Sequence, residues 1–147
     1  METTDHKAKR LIRYYERMVG SRDPVKIAEY ASIQIAIFPL GEIAGNYKLI
    51  NRKRWIFINE NIPKDSPMFK VVVAHELGHA FLHRRENCAF IKNKTLLLTS
   101  GIEREANEFA AHLLISDDML QNYSGYTKSQ FCNCTGYPKE LIELRLK

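Results

Sequence analysis

The segment at residues 75–79, His-Glu-Leu-Gly-His, constrains this chain most, because it puts three titratable side chains inside an almost wholly apolar stretch. Apolar residues surround it at 71–74 and 80–82. Such a run with helix-forming residues is typical of a buried helix. The pair Ser66-Pro67 suits an N-cap followed by proline in the first turn. The sequence therefore predicts a buried helix over about residues 67–85.

The spacing within this segment indicates a metal site. Residues four apart lie on one face of a helix, so His75 and His79 can offer two imidazoles to one metal ion. Glu76 is offset by one residue and is placed to act as a general base without being a ligand. This is the HExxH arrangement of zinc hydrolases. The alternative is a buried helix with two hydrogen-bonded core histidines, which is less favoured because such polar groups are costly in an apolar setting.

Length and composition indicate one domain. The chain has 147 residues, of which 45% are hydrophobic, enough to form a proper core. We expect residues 1–24 to contribute an N-terminal helix and residues 120–147 a small C-terminal helical extension of the same domain.

The first ten residues are polar and include no apolar h-region, so no signal peptide is expected. No apolar run approaches the length of a membrane span. The three cysteines, at positions 88, 132 and 134, do not form the spacing of a zinc pair or a disulfide framework, and reduced thiols are the favoured interpretation. A cytoplasmic protein that does not bind membranes is expected.

The formal net charge is +5, but the basic residues do not form a face with interleaved aromatic residues. The one tight basic cluster, at residues 52–54, falls in a predicted hairpin turn. A helix-turn-helix formed by residues 127–145 is a rival interpretation, but the segment carries acidic residues and lacks an obvious recognition helix. Direct nucleic-acid binding is therefore not expected.

Periodicity and turn residues predict a mixture of helices and strands. The predicted helices cover residues 7–19, 24–30, 67–85, 101–115, 127–134 and 138–146, with a further short element from 117, and the predicted strands cover 33–38, 44–50 and 54–59. Residues 87–98 are ambiguous. In the last strand, Trp55 and Phe57 face the opposite side from Ile56 and Ile58.

A catalytic zinc site needs a third protein ligand and an open position. The helix predicted at 101–115, with Thr99 or Ser100 as its cap, is the place to find that ligand. Glu103 and Glu105 flank its apolar stripe on opposite sides, and helical geometry alone does not choose between them.

Other roles compete for these residues. Ser100 and Glu103 have the spacing of a capping box, so Glu103 can instead serve the helix start. Asn107 lies one turn after Glu103 and can hold a ligand histidine in its correct tautomer. His83 and His112 are further candidate ligands, although a surface or supporting role is favoured for both.

Taken together, these motifs resemble the ImmA/IrrE family of metallopeptidases. The family's helix motif is similar to residues 74–79, and its second signature is similar to residues 103–115. The hairpin strand at 55–59 and the segments at 126–128 and 138–145 also follow the family's pattern. The resemblance covers about residues 25–146, with the two main motifs in the right order.

The resemblance implies an α+β, zincin-like fold, in which a small antiparallel sheet packs on the HExxH helix and the third-ligand helix, with short C-terminal helices. It implies Zn²⁺ held by His75, His79 and Glu103, with Glu76 as the catalytic base and Asn107 supporting a ligand.

The same resemblance implies a zinc-dependent, site-specific endopeptidase that cleaves or inactivates a helix-turn-helix repressor of a phage or mobile element. The alternative is a module that inactivates the repressor by contact alone, with a structural zinc. The strand at 55–59 is expected to lie at a sheet edge and accept an extended peptide. Trp55, Phe57 and His112 are the candidate substrate contacts, and His112 and Tyr123 are candidates for stabilising an oxyanion.

Overall fold

A computed structural model describes residues 1–86, 88–91 and 101–147. Within these residues the fold mixes helices with one small sheet. The helices are α1 (Thr4–Val19), α2 (Pro24–Tyr30), α3 (Pro67–Leu82), α4 (Gly101–Leu114), α5 (Asp117–Asn122), α6 (Lys128–Thr135) and α7 (Lys139–Arg145). The strands are β1 (Gln34–Phe38), β2 (Ile43–Ile50), β3 (Lys53–Asn59) and β4 (Cys88–Ile91).

The predicted elements are found close to their expected positions, and β4 is a strand in the segment that the sequence left ambiguous. The predicted cap at Thr99 or Ser100 lies outside the described residues. Helix α3 ends at Leu82 rather than near Arg85, because His83 leaves the helical conformation. Cys132 and Cys134 are free thiols.

Helix α3 lies at the centre of the molecule. The Ser66 hydroxyl caps its first turn by accepting a hydrogen bond from the Phe69 amide at 3.2 Å. Phe69 and every residue from 71 to 80 are buried, so the helix has no solvated face along that stretch. The sheet packs on one side of α3 and α4 on another, which explains why the sequence is apolar around the whole helix.

The sheet has the strand order β1-β3-β2-β4, and the prediction of a small antiparallel sheet is wrong for the pairing of β1. Strand β1 runs parallel to β3, with Gln34 opposite Trp55. The reason is that β3 lies between β1 and β2 in the sheet. The segment that joins β1 to β2 crosses the end of β3, and the chain then returns through the β2–β3 hairpin, so β3 runs in the direction of β1. The Asn59 side chain stabilises this crossing by donating hydrogen bonds to the carbonyls of Gly41 and Ile43, both at 2.8 Å.

Strand β3 is therefore internal, and the expectation that it accepts an extended peptide at a sheet edge is wrong. Its backbone pairs with β1 on one side and with β2 on the other. Ile56 and Ile58 are fully buried in the core, as the alternation predicts. Trp55 and Phe57 stack on the opposite face, with ring centroids 5.8 Å apart.

Helices α3 and α4 approach closely at Gly78. A side chain at this position would place its Cβ 3.1 Å from the Ala106 Cα and 3.2 Å from the Phe109 Cβ. Both neighbours are themselves buried parts of α4, so the helices touch here backbone to backbone.

The terminal helices contribute to the same core. Ala8 and Ile12 of α1 and Leu141, Ile142 and Leu144 of α7 belong to one buried cluster that includes the apolar residues of α3 and α4. Among the described residues, no helix combines the length and the hydropathy that crossing a bilayer requires.

Gly45 of β2 packs against α3 with no room for a side chain. A Cβ at this position would overlap Val72 Cγ1 and lie 3.1 Å from Glu76 Oε2. Because both neighbours are buried, we expect Gly45→Ala to destabilise the protein by about 1–3 kcal/mol. Gly125→Ala is the matched control, since no atom lies within 4 Å of its Cβ position. Thermal unfolding measures both, and a Gly45→Ala midpoint no lower than that of Gly125→Ala would contradict this packing.

Candidate metal centre

Two imidazoles of α3 form the first part of the site. His75 and His79 lie one helical turn apart and are 1% and 0% exposed. Their ring centroids are 4.8 Å apart, with the planes nearly perpendicular. The spacing of the HExxH segment therefore brings the two rings together, as the sequence predicts.

Helix α4 supplies a carboxylate to the same point. Glu103 Oε1 lies 3.1 Å from His75 Nε2, and Glu103 Oε2 lies 3.1 Å from His79 Nε2. One donor atom from each of the three residues lies within 4.8 Å of the others. Helical geometry leaves the choice between Glu103 and Glu105 open; in the structure it is Glu103 whose carboxylate lies beside the two histidines.

Asn107 fixes the tautomer of His75. Its Oδ1 lies 2.6 Å from His75 Nδ1. An amide oxygen can only accept, so His75 Nδ1 carries the proton and donates it. The lone pair of the neutral ring is then on Nε2, the atom that faces Glu103 and that a metal would use.

A series of side-chain contacts connects His79 to the surface. His79 Nδ1 lies 3.0 Å from His83 Nδ1, and His83 Nε2 lies 2.8 Å from Glu105 Oε1. His83 and Glu105 are therefore outside the three-residue cluster. The sequence offers one signal for His83, which continues the four-residue spacing of the two preceding histidines; nothing in the spacing pairs it with Glu105.

The charges of the cluster favour a cation. Burial alone would raise the pKa of Glu103, but the contacts of its carboxylate with His75 and His79 outweigh burial and hold the pKa below its usual range. Burial lowers the pKa of His79 and so favours the neutral ring that a metal ligand requires.

Glu76 is the fully buried carboxylate of the site. It is 0% exposed, and neither carboxylate oxygen has a hydrogen-bond partner among the described residues. Burial, with a smaller contribution from the charge of Glu103, raises the pKa of Glu76 well above its usual value. An unpaired buried carboxylate is not explained by folding alone.

The donor set fits zinc. Two imidazole nitrogens and a carboxylate oxygen are a ligand set of catalytic zinc sites, which keep a fourth position open. Among the described residues, His79 Nε2 is buried with no hydrogen bond of regular geometry, although Glu103 Oε2 lies 3.1 Å away. A bound cation would satisfy this nitrogen and lie beside the unpaired carboxylate of Glu76.

The structure does not bring the candidate substrate contacts to this centre. Trp55 and Phe57 lie on the face of the sheet that points away from α3. His112 lies nine residues after Glu103, about 13 Å further along the helix axis. There its carbonyl accepts a hydrogen bond from Arg22 at 2.8 Å. Tyr123 packs against Tyr126 and Phe131 rather than among the cluster residues.

Comparison with known sequences agrees with this geometry. Residues 28–147 match the model of the Peptidase_M78 family, described as the IrrE N-terminal-like domain. The match includes α3 and α4 and confirms the resemblance drawn from the two motifs.

Two relatives are similar over nearly the whole chain. "Uncharacterized immunity region protein 2" of Bacillus phage phi105 is 37% identical over 139 residues, which span 92% of this chain and 84% of the relative. "Metallopeptidase ImmA" of Bacillus subtilis (strain 168) is 29% identical over 147 residues, which span 96% of this chain and 82% of the relative.

The burial of Glu76 predicts a pH-dependent loss of stability in the metal-free protein. Because the folded-state pKa is raised above the usual value of 4.5, the carboxylate destabilises the fold increasingly as pH rises above that value. Replacing it by an uncharged amide removes this loss. We therefore expect metal-free Glu76→Gln to unfold at a temperature roughly 5 °C higher than the wild type at pH 8.

Thermal unfolding at pH 5 and pH 8, after removal of metal by a chelator, measures the effect. The difference between the two proteins should be smaller at pH 5 than at pH 8. Glu60→Gln, at an exposed position, is the control and should leave the pH dependence unchanged. A pH dependence of Glu76→Gln equal to that of the wild type would show that the buried carboxylate is not the cause.

Proposed function

The chain belongs to the IrrE N-terminal-like family of metallopeptidases, and from this membership and the geometry of the centre we propose that it is a zinc-dependent, site-specific endopeptidase. Its proposed substrate is a helix-turn-helix repressor of a phage or mobile element. The proposed zinc ligands are His75, His79 and Glu103, and Glu76 is the proposed catalytic base.

The observation that carries this proposal is the unpaired carboxylate of Glu76 beside three converging donor atoms. A structural metal site closes all of its positions with protein ligands and has no need of a buried base next to it. A hydrolytic site needs a carboxylate that touches water without being a ligand. Three candidate ligands and Glu76, the proposed base, match this requirement.

Zinc bound at this centre would supply Lewis acidity, which activates water for attack and polarises the scissile carbonyl. The chain's own residues position and move the protons. Glu76 accepts a proton from water on one of its oxygens and delivers it to the leaving amine nitrogen. The raised pKa of Glu76 makes it a stronger base than a solvated carboxylate and brings its proton affinity closer to the working pH.

Asn107 supports the chemistry indirectly. Its oxygen holds the proton of His75 on Nδ1 and so keeps Nε2 available to the metal. The amide is 1% exposed, which protects this hydrogen bond from competition with water.

The identity of the substrate rests on the family and on the phage relative, whose name assigns it to an immunity region. The structure adds a constraint on how a substrate can bind. Among the described strands, β4 is the neighbour of β2 at a sheet edge, and β2 passes against Glu76 at Gly45. A peptide that extends this edge must be in a β conformation. The cut should therefore fall in a linker, a terminus or a locally unfolded stretch of the repressor.

The ligand assignment predicts the metal content. Protein purified from cells and dialysed against buffer should carry about one zinc per chain, because two imidazoles and a carboxylate on packed helices form a preorganised site. His75→Ala, His79→Ala and Glu103→Ala should each lose most of it. His112→Ala is the matched control and should keep it. Elemental analysis by mass spectrometry measures the content, and full zinc in any of the three ligand variants would refute the assignment.

The catalytic role of Glu76 predicts a separation of binding from hydrolysis. Glu76→Gln should retain zinc but hydrolyse the repressor at least about 10²-fold more slowly, because the general base is lost. The measurement is incubation of each protein with a helix-turn-helix repressor encoded beside its gene, with fragments followed by mass spectrometry. We expect one or a few cuts in the repressor and weak activity on casein.

Two outcomes would overturn parts of the proposal. An intact repressor under conditions in which the wild-type protein still relieves repression in cells would replace the endopeptidase with the contact module. Rapid digestion of casein would remove the claim of site specificity, since an extended chain of any sequence would then suffice.

A further inference from the structure

The geometry points to Glu105 and His83 as positioning residues that fix the tautomer of His79 and so keep its Nε2 free to bind the metal. This inference rests on the metal centre of the proposed function. It assigns a role to two residues that are outside the cluster of His75, His79 and Glu103.

The directions of the hydrogen bonds in the series His79–His83–Glu105 follow from the carboxylate of Glu105 at the surface. An ionised carboxylate can only accept, so the 2.8 Å contact between Glu105 Oε1 and His83 Nε2 requires the proton on His83 Nε2. In the neutral ring, His83 Nδ1 then carries the lone pair. The 3.0 Å contact between the Nδ1 atoms of His83 and His79 can therefore be made only by an Nδ1 proton of His79. The lone pair of His79 is thereby assigned to Nε2.

The two histidines among the candidate metal ligands are thus held by different means. His75 faces an amide oxygen of Asn107, which has no other way to interact with a ring nitrogen than to accept. His79 faces an imidazole nitrogen, which can accept or donate. A ligand whose neighbour is itself a histidine needs a further group to choose the tautomer of that neighbour, and Glu105 occupies that place.

The burial of His79, His83 and Glu105 supports this role. His79 is 0% exposed and the His83 side chain 6%, whereas the Glu105 side chain is 36% exposed. The Glu105 carboxylate stays partly solvated, so burial penalises its charge less than that of a fully buried group. Without it, the alternative tautomer of His83 would direct an N–H at His79 Nδ1. His79 would then have to carry its own proton on Nε2, where it blocks metal binding.

The end of α3 places His83 for this contact. His83 leaves the helix with φ −132° and ψ 48°, while its amide still donates to the His79 carbonyl at 2.7 Å. The ring therefore lies beside the His79 ring, with centroids 5.1 Å apart and the planes tilted by 54°.

The test measures the zinc dissociation constant of the loaded protein by competition with a chromophoric chelator. Glu105→Ala should weaken binding by roughly tenfold and Glu105→Gln by less, because the amide oxygen of Gln still accepts from His83. Glu108→Ala is the matched control. Glu108 lies on the same helix and pairs with Arg104, and its side chain is 35% exposed, close to the value for Glu105.

A second background separates action through His83 from a general effect of negative charge. In His83→Gln the amide oxygen offers His79 an acceptor with no tautomer to choose, as Asn107 does for His75. Adding Glu105→Ala to His83→Gln should change the zinc affinity by less than about twofold. The same tenfold loss in both backgrounds would overturn the inference, because Glu105 would then act by charge alone.

The outcomes distinguish this inference from the proposed function. A wild-type protein that binds no zinc would remove the metal centre itself. A wild-type protein that binds zinc tightly, with Glu105→Ala no weaker than Glu108→Ala, would leave the centre intact and overturn only the role of Glu105 and His83.

Discussion

The close approach of α3 and α4 at Gly78 is the constraint on which the centre depends. Gly78 lies in the HExxH segment, one residue before His79, and faces the backbone of α4 at Ala106. Because no side chain separates the helices there, a glutamate one turn earlier on α4 can reach both imidazoles of α3. The carboxylate oxygens of Glu103 then lie 3.1 Å from each Nε2 atom. The centre is therefore a product of helix packing, and the ligands need no flexible loop to meet.

The rest of the fold protects that arrangement and the charge beside it. The sheet packs against α3 at Gly45, next to Glu76, whose side chain is 0% exposed. The apolar surroundings would favour a neutral residue at position 76, so the carboxylate lowers the stability of the fold. Buried, destabilising titratable groups of this kind are typical of catalytic sites, where the environment raises the basicity of a carboxylate.

Much of the site could be predicted from the sequence, for identifiable reasons. The four-residue spacing of His75 and His79 is a local property of a helix, and it fixes their shared face without knowledge of the fold. The choice of Glu103 over Glu105 depends on how α4 rotates against α3, which periodicity does not determine; the family resemblance supplied it. The parallel pairing of β1 with β3 was missed because it depends on a crossing stabilised by the buried Asn59. The contact between His83 and Glu105 was missed because it joins the end of one helix to the surface of another.

The most direct test of this account is a crystal structure of the zinc-loaded protein with anomalous data collected on both sides of the zinc absorption edge. We expect one strong anomalous peak per chain, about 2.0–2.2 Å from His75 Nε2, His79 Nε2 and a carboxylate oxygen of Glu103, with Glu76 beside the open position. A peak coordinated by Glu76, His83 or Glu105, or the absence of a peak between α3 and α4, would contradict the account.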